Sequence, residues 1–181
     1  SVSVNTPVSK TSASKTSAEV TPERATGGAE PGDAPSRMRT AIATVCISGT
    51  LEDKLAAAAA AGFDGVEIFE PDFVVSPLSA AEVRSRCDDL GLTIDLYQPF
   101  RDFDSVRPEA VQANLRRADR KFDVMEQMGT NQVLVCSANY PDAVDDDGQI
   151  AEQLHRLATR AAERGMLISY EALAWSTYVN T

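Results

Sequence analysis

An α/β fold, with a parallel sheet covered by helices, is what residues 38–181 predict. Two patterns carry the prediction. Apolar runs of strand length alternate with longer segments of helical periodicity, and Gly62, Gly91, Gly129 and Gly165 each stand between a helical segment and the next apolar run. Repeated βα units of this kind place their strands parallel in one sheet, with the helices outside it.

The first run is Ala41-Ile42-Ala43-Thr44-Val45-Cys46-Ile47, and a helix follows from about Leu51 to Ala61. Thr50 with Asp53 makes a capping pair at its start, and Gly62 stops it. The second strand, Gly65-Val66-Glu67-Ile68-Phe69-Glu70, leads into a Pro-containing loop. A helix then starts at Ser79, whose capping box is completed by Glu82, and ends at Gly91. The third strand is Thr93 to Phe100. Its helix opens at Pro108, a residue suited to a first helical position, and closes at Gly129. Val111, Leu115, Ala118, Phe122 and Met125 recur there at helical spacing and make one apolar stripe to lay on a sheet. The fourth strand, Gln132 to Ser137, precedes an acidic loop and a helix running to Arg164. The fifth, Met166-Leu167-Ile168-Ser169-Tyr170-Glu171, ends on a carboxylate. An eight-stranded barrel and an open doubly wound sheet both begin this way. The second is disfavoured, since no GxGxxG follows the first strand and no GxxxxGK[ST] occurs.

Residues 1–37 differ in kind. They are rich in Ser, Thr, Ala, Pro and Gly and contain no Leu, Ile or aromatic residue, so a disordered tail is expected. Met38, directly before the first strand, is expected to be the natural start. Overall the 181 residues carry 27 acidic against 17 basic side chains, a net charge of -10, which disfavours binding to nucleic acid or anionic membrane. Cys46, Cys87 and Cys136 form no CxxC pair and are expected to be reduced core residues of a cytoplasmic protein.

In a barrel, the strand C-termini and the loops behind them form the active face. Polar groups gather at those positions here: Glu70, Gln98, Arg101, Ser137, Asn139 and Glu171. Glu171 is the first candidate, because a carboxylate ending a strand covered on both faces needs a cation or a donor to receive it. Glu67 and Glu70 are an odd number apart, so both cannot face inward on a regular strand. Arg101 either pairs locally with Asp102 and Asp104 or forks onto a substrate carboxylate. Ser137 is a weaker candidate as a nucleophile. The only histidine, His155, lies mid-helix, and no GxSxG is present, which argues against Ser-His or Cys-His catalysis. The run Asp145-Asp146-Asp147-Gly148 lacks the ligand spacing of a calcium loop and reads as a helix start.

Met38 to Cys46, Gly65-Val66-Glu67-Ile68-Phe69-Glu70, Tyr97-Gln98-Pro99-Phe100-Arg101-Asp102-Phe103 and Tyr170-Glu171-Ala172-Leu173-Ala174-Trp175 together resemble the bacterial 3-dehydroshikimate dehydratases. These belong to the xylose-isomerase-like, sugar phosphate isomerase/epimerase superfamily of TIM barrels. The resemblance implies a partial (β/α)8 barrel of about five βα strands. It implies metal-dependent loss of water from 3-dehydroshikimate to give protocatechuate, with a divalent ion (Mg, Mn or Co) polarising the substrate ketone. Of that family's metal ligands, two Glu, one Asp and one Gln on strands five to eight, the first falls on Glu171. Arg101 is placed as a catalytic carboxylate anchor, with Glu70, Gln98 and Ser137 as further substrate contacts. Because the chain ends just beyond strand five, it is expected to be the N-terminal part of an enzyme and inactive alone. The partners expected are a small-molecule substrate and a homo-oligomeric copy. Alternatives are a sugar phosphate isomerase or epimerase of the same superfamily, and a non-catalytic barrel fragment that associates with a partner; the endonuclease branch is disfavoured by the acidic charge.

Overall fold

The computed structural model of the protein describes residues 37–179. The tail expected at 1–37 therefore lies, but for Arg37, outside the described residues. Five strands form one sheet in sequence order, β1 (Ala41–Ala43), β2 (Gly65–Phe69), β3 (Thr93–Phe100), β4 (Gln132–Cys136) and β5 (Leu167–Glu171), with every neighbouring pair parallel. Five helices fall between them: α1 (Leu51–Ala60), α2 (Glu70–Val75), α3 (Ala80–Asp89), α4 (Val111–Met128) and α5 (Asp147–Ala162). Among the described residues the sheet stays open, with β1 and β5 at its edges. No helix there is long and apolar enough to cross a membrane.

The predicted helix starts form as capped ends. Thr50 and Ser79 each accept from the backbone N–H three residues on, and Asp53 and Glu82 return the bond to the cap backbone. Asp146 caps α5 through Gln149 N–H, so the acidic run is a helix start. Gly129 ends α4 in the left-handed region at φ 79°, which a side chain would resist.

Three expectations are corrected. The first strand is three residues long, because the chain turns at Thr44–Cys46 into a short 3-10 helix. Thr44 points inward, fully buried, and its hydroxyl accepts from Phe69 N–H at 3.0 Å, tying the turn to the end of β2. Cys46 thereby sits on an exposed turn and is no core residue, whereas Cys87 and Cys136 are buried and all three are free thiols. The loop expected after the second strand is the short helix α2, for which Pro71 in the first turn supplies the backbone angle.

One face of the sheet carries the core. Val66, Ile68, Val133 and Val135 are fully buried against helix residues such as Leu55, Val83, Phe122 and Leu157. Alternation along each strand turns the intervening residues to the other face. At the N-terminal end of that face Arg39 Nη1 donates to Asp95 Oδ2 at 2.7 Å. A Cβ at Gly65 would clash with that carboxylate, so glycine leaves room for the pair. Asp95 is the extra residue of a register shift between β2 and β3.

Candidate active site at the strand ends

The parallel sheet brings all five strand C-termini to one end. Within β2, burial of Val66 and Ile68 against the helices sends Glu67 to the opposite face, where Glu67 Oε2 accepts from Gln98 Nε2 at 2.6 Å. Because an ionised carboxylate only accepts, the contact fixes the Gln98 amide with nitrogen toward Glu67 and leaves Oε1 an acceptor without a partner among the described residues.

Glu70 stands apart from this pair. It opens α2 on the helix-facing side, accepting from Tyr97 Oη at 3.1 Å and from Lys121 Nζ at 2.5 Å. The Lys121 ammonium lies 5.1 Å from the Phe100 ring centre and 5.7 Å from that of Tyr97. Burial draws the Lys121 pKa down, opposed by Glu70, and burial with the Glu70 charge pushes the Tyr97 phenol up. This is an anchored ion pair between sheet and helices.

At the other side of the strand ends, Glu171 is exposed at the terminus of β5, paired in register with Cys136. Cys136 Sγ donates toward Glu171 Oε2 at 3.8 Å. Burial raises the Cys136 thiol pKa; Arg101 pulls it down and Glu171 pushes it up, so both charges bear on the same sulfur. The exposed Arg101 makes no side-chain ion pair among the described residues, and its carbonyl accepts from Arg117 Nη2 at 3.0 Å. Ser137 is buried, and its Oγ accepts from Leu173 N–H at 2.8 Å, holding the segment after β5. Asn139 is exposed. The structure thus gathers Arg101, Cys136 and Glu171, puts Ser137 beneath them and leaves Glu70 behind the sheet.

The loop after β3 is tightly held. Asn114 Nδ2 donates to the carbonyls of Asp102 and Phe103, and Tyr140 Oη donates to those of Asp104 and Ser105. Asp104 is fully buried and accepts from Tyr170 Oη at 2.7 Å. Burial raises the pKa of the Asp104 carboxyl, with the Tyr170 bond pulling the other way. Sequence reasoning offered Asp104 as a local partner for Arg101, Cys136 as a core residue and Tyr170 as part of a resembling segment, and gave none of them a role at the site. For Cys136 the signal was present, since it ends a strand as Glu171 does. For the Asp104–Tyr170 pair, 66 residues apart, there was none.

Among the described residues no group of three or more His, Cys, Asp or Glu side chains is placed to hold a metal ion. Glu171 fits as one hard oxygen donor, exposed and free of any ion pair there, and a single carboxylate holds Mg²⁺ or Mn²⁺ weakly.

The family model described as xylose isomerase-like TIM barrel matches residues 55–181. The chain belongs to the xylose isomerase-like TIM barrel family. Within that family it is 56% identical over 144 residues to the 3-dehydroshikimate dehydratase of Pseudomonas aeruginosa and 53% identical to that of Pseudomonas putida. Each alignment covers 80% of this chain and 23% of the relative, so the chain spans about a quarter of the length of the curated relatives it matches. A solved xylose isomerase-like TIM barrel/4-hydroxyphenylpyruvate dioxygenase fusion protein superposes with a TM-score of 0.78 at 52% identity, over 79% of this chain and 23% of that one. The five parallel strands and their helices are accordingly a part of a xylose isomerase-like barrel.

Proposed function

We propose that this chain contributes the first five strands of a metal-dependent 3-dehydroshikimate dehydratase, which eliminates water from its substrate to give protocatechuate. The observation that carries the reading is Glu171. It is an exposed carboxylate on the open side of β5, unpaired by any cation among the described residues, in a chain 56% identical to an enzyme of that name.

In this reading Glu171 is one ligand of a divalent metal, Mg, Mn or Co. When bound, the metal supplies Lewis-acid polarisation of the substrate ketone. Arg101 presents a planar, permanently charged fork to the substrate carboxylate. Gln98, its amide turned by Glu67, offers Oε1 to a substrate hydroxyl. Ser137 acts through the backbone it holds after β5, and Glu70 acts through the sheet it braces. The remaining metal ligands and the proton-abstracting base are not assigned to described residues. A cytoplasmic setting and a homo-oligomeric assembly belong to the same reading.

The test is to assay a version of the chain extended through three more βα units, called the full-length protein below, with 3-dehydroshikimate and Mn²⁺ for the absorbance of protocatechuate, beside the 181-residue chain. Activity in the full-length protein that is lost in Glu171→Gln supports the assignment. Metal binding without protocatechuate shifts it to a sugar phosphate isomerase or epimerase.

A further inference from the structure

Asp104 is a carboxylic acid with no exposed surface, and the Tyr170 hydroxyl is its one side-chain donor, at 2.7 Å. Its other oxygen, Oδ1, is buried without a hydrogen-bond partner among the described residues. The backbone N–H groups of Asp104 and Ala138 also bear on it, yet a fully buried carboxyl with one oxygen unpaired costs stability relative to an apolar side chain of similar size. Stability therefore gives no reason for an acid at this position. The backbone around it is also unusual, with Asp102 at φ 55° and Ser105 at φ 58°, a region non-glycine residues rarely enter. Strained, over-held backbone of this kind concentrates at functional sites.

What the acid reaches is β5. Arg101 precedes Asp104 by three residues, and Glu171 directly follows Tyr170. We propose that Asp104 is a positioning residue: through the hydrogen bond from Tyr170 it clamps the loop that bears Arg101 to the strand end that bears Glu171. The inference rests on the proposed roles of those two residues as carboxylate anchor and metal ligand. Ser137 extends the clamp across β4, since its Oγ receives Leu173 N–H at 2.8 Å. A substrate held at one end by Arg101 and at the other by a metal on Glu171 needs their separation fixed, because small misplacements of reacting groups cost large factors in rate.

The experiment uses the full-length protein and three variants. Tyr170→Phe removes the donor and keeps the shape, Asp104→Ala removes the acceptor, and Asp104→Asn keeps an acceptor. Three readouts are taken: Mn²⁺ affinity, kcat against KM for 3-dehydroshikimate, and amide hydrogen exchange in residues 101–106 and 171–177. Tyr170→Phe and Asp104→Ala are each expected to weaken Mn²⁺ binding about tenfold and to lower kcat by a similar factor. Asp104→Asn is expected to stay within about twofold of the parent. Exchange should rise reciprocally, in 101–106 for Tyr170→Phe and in 171–177 for Asp104→Ala. The isosteric Tyr170→Phe keeps the test open where Asp104→Ala does not fold.

The proposal is overturned if Tyr170→Phe leaves exchange in 101–106 unchanged, or if Asp104→Asn is as impaired as Asp104→Ala throughout. If Glu171→Gln binds Mn²⁺ as well as the parent, it is the metal-ligand reading that has failed. Reciprocal exchange then still supports the clamp, and its absence overturns it.

Discussion

Glu67 and Gln98 face each other across β2 and β3 with 2.6 Å between Oε2 and Nε2, on the side of the sheet away from the helices. A carboxylate in that position sets which end of the neighbouring amide is offered to a ligand. Replacing Glu67 by Ala frees the amide to rotate. Glu67→Ala is expected to raise KM for 3-dehydroshikimate several-fold in the full-length protein. Because both side chains are half-buried, stability should fall by no more than about 1 kcal/mol. Steady-state kinetics and urea unfolding measure the two effects, and an unchanged KM would remove Gln98 from the substrate site.

Glu70 and Lys121, by contrast, brace the sheet from behind, with the ammonium 2.5 Å from the carboxylate and above two aromatic rings. Glu70→Gln leaves the largely buried Lys121 charge without its counter-ion. The cost expected is about 1–2 kcal/mol, below that of breaking a fully buried pair because Glu70 keeps some contact with water. KM for the substrate should stay within about twofold. A large change in KM with no loss of stability would return Glu70 to the substrate-binding set.

The Asp104 carboxyl has a folded-state pKa above its ordinary value of 3.8, chiefly through burial. A raised acid stabilises the fold fully below the unfolded value, and that contribution is lost as pH rises through the folded one. Asp104→Asn cannot ionise. Its unfolding free energy relative to the parent should therefore grow as pH rises from about 3.8 through the raised value and then level off. Urea unfolding of both proteins at stepped pH measures the difference. A flat difference would mean that Asp104 titrates as an ordinary acid.

The elements legible from residue types are those settled within one turn of chain. Thr50 with Asp53, Ser79 with Glu82, and Asp146 at the head of α5 each satisfy backbone N–H groups within three residues, so the helix starts could be read directly. Gly129 as a left-handed stop is equally local. Alternating βα units then dictate a parallel sheet, and with it the placing of Gln98, Ser137 and Glu171 at one end.

What the residue order could not reveal depends on contacts made across the fold. β1 is cut short because Thr44 turns in to receive Phe69 N–H, 25 residues away. The register shift at Asp95 helps decide which β3 side chain meets Glu67, and the turn into α2 carries Glu70 to the helix side. Asp104 meets Tyr170 across 66 residues. Caps and stops follow from neighbours held by covalent geometry, whereas these pairings follow from strand register and burial, which exist once the sheet and helices have packed.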